Sequence, residues 1–99
     1  MRKKIDNKLL LSICIPTYNR PRHLENCLEA IYISKKNCKS LNFEVCISDN
    51  GSKHNIKSII QKYKNKINIK FNRFSRNFGI TRNFLKAVEM ASGEFVWTI

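Results

Sequence analysis

The chain has 99 residues, of which 42% are hydrophobic and 26% are charged, a composition that fits one small globular domain. Its longest apolar run, residues 9–15, is far shorter than the roughly 20 residues of a membrane-spanning helix. Nineteen Lys and Arg against seven Asp and Glu give a formal net charge of +12. This charge attracts phosphate groups, nucleic acid or an anionic membrane without choosing among them.

The four cysteines lack the paired spacing of a zinc site. Cys14 and Cys46 lie inside apolar runs, and Cys27 falls on the apolar stripe of a predicted helix. We therefore expect buried, reduced cysteines that pack as small hydrophobic residues. No signal-peptide cleavage site follows the basic start of the chain, so a reducing cytoplasm is the expected compartment.

The first half of the chain predicts a strand, a helix and a second strand. Residues 1–8 are predicted to be a basic tail, and residues 9–99 a single domain. Residues 9–15 are nearly all apolar and end at Pro16, which is typical of a central parallel strand. A helix is predicted from Pro21, with apolar residues at helical spacing: Leu24, Cys27, Leu28 and Ile31. A polar loop over 34–40 and a strand over 43–47 follow.

The second half predicts two more helices and two more strands. The second helix has apolar residues at helical spacing: Ile56, Ile59, Ile60 and Tyr63. Residues 67–72 alternate between apolar and polar, which predicts a half-exposed edge strand. A third helix is marked by Ile80, Phe84, Ala87, Val88 and Ala91, with Gly93 as its C-cap. A fourth strand begins at residue 94 and the sequence stops within it; we expect Trp97 to be a core residue and the chain to be the amino-terminal piece of a longer protein.

Alternating strands and helices predict an α/β fold of three layers, α/β/α, around a parallel sheet. Ligands of such sheets bind at the carboxyl ends of the strands, where the strand order reverses. The loops after the first two strands are therefore the first candidates for a site.

The loop after the first strand contains Pro16, Thr17, Tyr18 and Asn19. Tyr18 offers an aromatic face to a base or ribose, while Thr17 and Asn19 offer hydrogen bonds. The helix that follows presents its amino terminus, which favours anions. The alternative is that these residues serve only to cap that helix.

The loop after the second strand places two acceptors, Asp49 and Asn50, before Gly51. A pyrimidine presents an N–H group that such an acceptor can bind, and Gly51 permits a positive φ and a close backbone approach. The alternative is a structural turn around Asp49 in which Ser52 caps the second helix.

A third group of candidates precedes and begins the third helix. Asn77 and Gly79 shape the loop, and Arg82, one turn into the helix, is placed to approach a phosphate or a base. The alternative for Arg82 is an ordinary solvated surface charge.

Four segments together resemble the start of the family 2 glycosyltransferases of the GT-A fold. They are residues 11–20, residues 43–52, residues 76–83 with an Asn-x-Gly followed by Arg-Asn, and residues 91–97. The amino-acid sequence of these segments is most similar to the abequosyltransferase-like branch, which builds bacterial surface polysaccharide such as O-antigen. The resemblance implies the Rossmann-like amino-terminal half of a GT-A fold, truncated in the fourth strand.

The resemblance also implies the function and the site. The donor would be a nucleotide-diphosphate sugar, UDP- or CDP-linked, and the acceptor a lipid-linked or polysaccharide glycan at the cytoplasmic face. The net charge of +12 would allow peripheral contact with an anionic membrane. Pro16, Thr17 and Tyr18 would line the nucleoside with Asn19 nearby. Asp49 and Asn50 would read the base, although the family often has a carboxylate at the position of Asn50. Asn77, Gly79 and Arg82 would close around the nucleotide.

The family's divalent metal, Mg or Mn, is bound through an Asp-x-Asp motif that is expected just past Ile99. With two aspartates in the chain, Asp6 and Asp49, we expect no metal site, no catalytic residue and no activity from these 99 residues alone. The alternative function is a small basic nucleic-acid-binding protein. It is favoured by the net charge, but the sequence has no recognisable nucleic-acid-binding module, so we expect no nucleic-acid partner.

Overall fold

The computed structural model of the protein describes residues 8–99, so residues 1–7 of the predicted tail lie outside the described part. Seven elements alternate along the chain: β1 (Leu11–Thr17), α1 (Pro21–Asn37), β2 (Phe43–Asp49), α2 (Lys57–Tyr63), β3 (Ile69–Arg73), α3 (Ile80–Glu89) and β4 (Phe95–Thr98). This is the predicted order of elements. The division into a tail and a domain stays a prediction.

The four strands form one parallel sheet in the order β3-β2-β1-β4. The chain adds β2 and β3 on one side of β1 and then crosses to place β4 on the other side. The strand order therefore reverses at β1, and the carboxyl end of β1 is where ligands of such sheets bind.

Helices cover the two faces of the sheet unequally. On one face, Ile13 and Ile15 of β1 pack with Leu24 and Leu28 of α1 and with Ile60 of α2. On the other face, the buried cluster consists of Cys14, Cys46 and Ala87 of α3. Successive strand residues point to opposite faces, so α1 and α2 form one outer layer and α3 the other. The predicted three-layer arrangement is confirmed.

The first helix is longer than predicted, because α1 continues to Asn37 through most of the expected loop over 34–40. No Gly or Pro interrupts residues 32–37, and Lys35 and Lys36 occupy the last turn, where the helix dipole favours cations. Lys35 Nζ also donates to the carbonyl of Lys66 at 2.7 Å.

The end of α3 also differs from the prediction, because its C-cap is Met90 and not Gly93. A Cβ at residue 93 would lie 2.7 Å from Ser12 Oγ and 2.8 Å from the Leu11 carbonyl carbon. The glycine is required there by the close approach of the chain to β1. The predicted apolar face of α3 is also incomplete, since Ile80 is 88% exposed while Ala87 is buried.

The cysteine prediction is confirmed for Cys14 and Cys46, which are buried, and burial raises the pKa of Cys46 to about 12. Cys27 is only half-buried, against the prediction, and Cys38, for which burial was not predicted, is exposed at the end of α1. All four cysteines are free. Cys38 escapes burial because α1 extends past the core before the chain turns to β2.

The fourth strand lies at an edge of the sheet, and all four of its residues are exposed. Trp97 is 57% exposed, so its predicted place in the core is wrong. An apolar groove of about 320 Å³ separates α1 from this edge, and the β1 residues that line it are Leu11 and Ile13. The groove is therefore distant from the carboxyl end of β1. Within residues 8–99, no helix has the length and apolar character needed to cross a bilayer.

Candidate functional site

The loops after β1 and β2 lie side by side. Thr17 pairs with Asp49 in the parallel register, and the backbone N–H of Asn50 donates to the carbonyl of Thr17 at 2.9 Å. The next residues continue the contact, because Asn19 N donates to Ser52 Oγ at 2.7 Å and Lys53 N donates to Asn19 Oδ1 at 2.7 Å. The predicted adjacency of the two strand tips is confirmed.

The loop after β1 exposes one aromatic side chain. Tyr18 is 37% exposed, while Pro16 is half-buried and Thr17 is buried. Asn19 has φ 51°, a left-handed conformation that Asn tolerates better than most residues. Arg20 is the N-cap of α1 without a side-chain capping bond. The side chain of Asn19 therefore links the two loops, and it does not cap the helix.

Asp49 is fully buried and stabilises its own turn. Its carboxylate accepts from the backbone N–H of Ser52 at 3.2 Å and from the Ser52 hydroxyl, and it lies 3.4 Å from Arg73 Nε. Arg73 Nη2 in turn donates to the carbonyl of Ser52 at 2.7 Å. Helix α2 begins at Lys57 with Ile56 as its N-cap, so Ser52 does not cap it. Arg73 is a contributor that the sequence analysis did not select.

Asn50 connects the end of β2 to the loop before α3. Its Nδ2 donates to Asn77 Oδ1 at 2.8 Å and to the carbonyl of Gly79 at 3.2 Å. Its Oδ1 accepts from the backbone N–H of Phe78 at 2.9 Å. The side chain is 2% exposed, so both ends of the amide are used inside the protein. The third predicted group is thereby brought to the same place as the first two.

Two positions in these loops have backbone conformations that favour glycine, and at one of them, Gly51, the loops approach closely. Gly51 has φ 78°, and a Cβ there would lie 2.6 Å from the backbone C and Cα of Arg76. Gly79 has φ 98° and is the N-cap of α3, with open space around it. Because L side chains rarely adopt these φ values, both positions favour glycine.

A positively charged rim borders the site. The guanidinium carbon of Arg82 lies 4.9 Å from the centroid of the Phe78 ring, and that of Arg76 lies 4.4 Å from it. Both arginines are exposed, and the first turns of α1, α2 and α3 contain no acidic residue. The amino terminus of α3 and two guanidinium groups therefore face solvent in surroundings that favour an anion.

Asn83 is a second residue that the sequence analysis did not place in the site. Its Nδ2 donates to the carbonyl of Thr17 at 3.3 Å, so the first turn of α3 rests on the end of β1. The side chain is 4% exposed, and its Oδ1 has no hydrogen-bond partner among the described residues. The Arg-Asn pair in the motif of residues 76–83 was the available signal.

The described residues do not fit a divalent metal. Residues 8–99 contain no group of three or more His, Cys, Asp or Glu that could hold one. The two buried carboxylates are committed elsewhere, Asp49 to Ser52 and Arg73, and Glu44 to Ser12 and Lys70. The other aspartate, Asp6, lies outside the described residues.

Comparison with known proteins decides the family. The family model described as Glycosyl transferase family 2 matches residues 12–99. The chain belongs to glycosyl transferase family 2. The resemblance stated from its four sequence segments is therefore confirmed.

Among curated relatives, the abequosyltransferase RfbV of Salmonella typhimurium is 42% identical over 91 residues, covering 90% of this chain and 27% of the relative. The chondroitin synthase of Pasteurella multocida is 42% identical over 71 residues, covering 72% of this chain and 7% of the relative. The chain thus spans about a quarter, or less, of the length of these relatives. The predicted likeness to the abequosyltransferase branch is confirmed.

The family fold is also found in solved structures. A Staphylococcus aureus TarS fragment, residues 1–349, crystallised in complex with UDP, superposes with a TM-score of 0.77 at 29% identity. The match covers 91% of this chain and 26% of that one. The four-stranded parallel sheet corresponds to the Rossmann-like amino-terminal half of the GT-A fold, so the predicted fold class is confirmed.

Proposed function

We propose that this family 2 chain provides the nucleotide-binding part of a glycosyltransferase whose sugar donor is a nucleoside diphosphate sugar, linked to UDP or CDP. One observation carries the proposal: three separate loops meet at the carboxyl end of β1, where the strand order reverses. The pairing of Thr17 with Asp49 joins the first two loops, and the hydrogen bonds of Asn50 add the loop of residues 77–79. The TarS structure with a TM-score of 0.77 to this chain was crystallised with UDP, which supports the choice of ligand.

Each predicted residue takes a role in this proposal. Pro16, Thr17 and Tyr18 line the nucleoside, with Tyr18 offering its ring to the base or ribose and Asn19 fixing the loop. Asn77, Gly79 and Arg82 close around the nucleotide. The exposure of Tyr18 and Arg82 supports direct contact by these two side chains. Base reading by Asp49 and Asn50 stays a prediction, because their polar side-chain atoms are hydrogen-bonded within the protein.

The charge of the site suits a diphosphate. Arg82 lies in the first turn of α3, whose first backbone N–H groups lack helical acceptors. Guanidinium groups and helix amino termini both bind phosphate oxygens. Among residues 8–99 we assign no ligand set to a divalent ion. The proposal is that the chain alone binds the donor and does not turn it over.

The acceptor and the compartment belong to the same proposal. The names of the relatives, an abequosyltransferase and a poly(ribitol-phosphate) N-acetylglucosaminyltransferase, support a surface-glycan acceptor. Four free cysteines among the described residues fit the cytoplasmic face. The net charge of +12 fits peripheral contact with an anionic membrane.

The test is calorimetric titration of the purified chain with UDP, CDP and GDP. We expect saturable binding of UDP or CDP, and a loss of about tenfold in affinity in Tyr18→Ala, the scale of one base–aromatic stacking contact. Tyr32→Ala is the matched control, because Tyr32 lies on α1 among lysines, outside the three loops. We expect it to bind as the wild type does.

Two results would contradict the proposal. One is equal nucleotide affinity in the wild type and Tyr18→Ala. The other is the absence of nucleotide binding together with steeply salt-dependent binding of DNA or RNA, which is the behaviour of the nucleic-acid-binding alternative.

A further inference from the structure

The Asn50 side chain is saturated in a way that a carboxylate could not reproduce. Its two N–H bonds point to two acceptors, Asn77 Oδ1 and the Gly79 carbonyl, and its oxygen accepts from Phe78 N. An amide carries two donors and one acceptor oxygen, whereas an ionised carboxylate carries acceptors alone. An aspartate at residue 50 would place an oxygen against two oxygens with no proton between them.

Asn77 completes the arrangement from the opposite side. Its Oδ1 accepts from Asn50 Nδ2 at 2.8 Å and from the backbone N–H of Gly79 at 2.7 Å. Asn77 Oδ1 therefore faces two donors at once. As long as residue 50 supplies one of them, the Asn77 side-chain amide has one favourable orientation, with its oxygen toward both donors. If residue 50 lost its donors, Asn77 would turn its own Nδ2 toward it, and Gly79 N–H would lose its acceptor.

The loop held by this amide pair leads directly into the helical turn that contains Arg82. Gly79 is the N-cap of α3, and Arg82 follows in the first turn with its guanidinium 4.9 Å from the Phe78 ring centroid. Phe78 is the residue whose backbone N–H bonds to Asn50. A shift of residues 77–79 would therefore carry the arginine with it.

We propose that Asn50 is a positioning residue, a neutral clasp that holds residues 77–79 over the end of β2 and thereby places Arg82. In this proposal Asn50 acts on a bound nucleotide through the loop, in place of the direct base contact that the family resemblance implies for it. The effect on nucleotide affinity rests on the proposed function; the effect on the loop does not.

Amide hydrogen exchange measured by NMR tests the clasp directly. In Asn50→Asp we expect the Gly79 amide to exchange about tenfold faster relative to its intrinsic rate, since it loses its bond to Asn77. The Phe78 amide keeps its protection, because the carboxylate still accepts from it. In Asn50→Ala both amides exchange faster.

The matched control is Asn72→Asp. Asn72 lies on β3 and its Nδ2 donates to Ser48 Oγ at 3.2 Å, so the same change adds the same charge without touching the loop. We expect its Gly79 and Phe78 protection to equal that of the wild type. Lowering the pH supplies a second readout, because the introduced carboxyl group of Asn50→Asp regains one donor when it is protonated, and the Gly79 protection of that variant should return.

The clasp is overturned if Gly79 protection is unchanged in Asn50→Asp, if both amides keep their protection in Asn50→Ala, or if Asn72→Asp loosens them equally. Nucleotide binding is a separate measurement. The affinity for UDP or CDP should fall about fivefold in Asn50→Asp. Tyr18→Ala should lose affinity while its Gly79 and Phe78 amides keep their protection.

If the wild type binds no nucleotide while the Gly79 amide responds as expected, the proposed function is contradicted and the role of Asn50 in holding the loop is supported. If Asn50→Asp loosens the loop while its nucleotide affinity is unchanged or higher, the proposal that Asn50 affects nucleotide binding by positioning Arg82 is overturned.

Discussion

Asp49 and Asn50 are neighbours in the chain, yet their side chains serve two different loops. Asp49 closes its own turn through Ser52 and is neutralised by Arg73, whereas Asn50 reaches across to residues 77–79. A charge is used where a cation is adjacent, and a neutral amide where two oxygens must be bridged. The chemistry of each position follows from the groups that face it.

The pairing of Asp49 with Arg73 gives a stability prediction. Removing Arg73 leaves a fully buried carboxylate without its cation, although the half-exposed guanidinium lets solvent compensate in part. We expect Arg73→Met to lower the free energy of unfolding by about 2 kcal/mol. Urea denaturation measures the difference.

Arg76→Met is the control for that change. Arg76 is exposed and contacts the Phe78 ring without an ion pair in the described structure. We expect it to cost less than about 1 kcal/mol. Equal losses in the two variants would show that the Asp49–Arg73 contact contributes nothing of its own.

The sequence could predict the site residues that carry a local signal, and it missed those defined by register. Tyr18 and Asp49 follow predicted strands directly, so their adjacency could be inferred from the rule for parallel sheets. Arg73 pairs with Asp49 because β2 and β3 align in one register, and no local pattern encodes that register. Asn83 had one local signal, the Arg-Asn pair of its motif, but that pair does not indicate a contact with a strand end 66 positions away.

At the scale of elements, Glu44 joins four parts of the fold. Ser12 Oγ of β1 donates to Glu44 Oε2 at 2.6 Å, and the backbone N–H of Ser92, before β4, donates to the same oxygen at 2.7 Å. Lys70 Nζ of β3 lies 3.1 Å from Glu44 Oε1. Burial raises the pKa of the Glu44 carboxyl, but these hydrogen bonds and the lysine charge outweigh it and hold the pKa below 4.5.

This network predicts a pH dependence with a definite sign. Because the pKa of Glu44 is lower in the folded chain than in the unfolded one, its contribution is present above its ordinary value of 4.5 and is lost as the pH falls through the folded value. Glu44→Gln should lower the free energy of unfolding by about 3 kcal/mol at neutral pH. On acidification the variant should then lose less stability than the wild type does. Urea denaturation over a series of acidic pH values measures this.

Glu89→Gln provides the comparison for Glu44→Gln, since Glu89 is exposed and pairs with Lys86. We expect its acid profile to match that of the wild type. An identical acid profile for wild type and Glu44→Gln would refute the assigned role.

Element boundaries could be predicted where the hydrophobic periodicity was strong. The predictions were wrong where they depended on one local feature, such as a polar stretch or a single glycine. The apolar run of β1 and the spacing in α1 gave the correct elements. The polar residues at 34–37 resembled a loop because their side chains are solvated, but a helix end past the core is solvated as well. Gly93 resembled a C-cap because close packing against a distant strand leaves no trace in the local sequence.

At the scale of the whole molecule, the sheet order separates two regions. The three loops meet at the carboxyl end of β1, while the apolar groove lies beside the opposite half of that strand and β4. Alternation of elements was enough to predict a parallel sheet in three layers. The exposure of β4 could not be predicted, because an apolar strand has the same sequence pattern whether the sheet edge it forms is covered or exposed.

Titration with UDP or CDP followed by two-dimensional ¹H–¹⁵N NMR tests the central claim most directly. We expect the amide shifts to concentrate in residues 17–19 and 77–82, with Tyr18 and Arg82 among the most affected, and the amides of groove residues such as Ile31 and Trp97 to stay unchanged. Shifts that centred on the groove between α1 and β4, with the three loops unaffected, would contradict it.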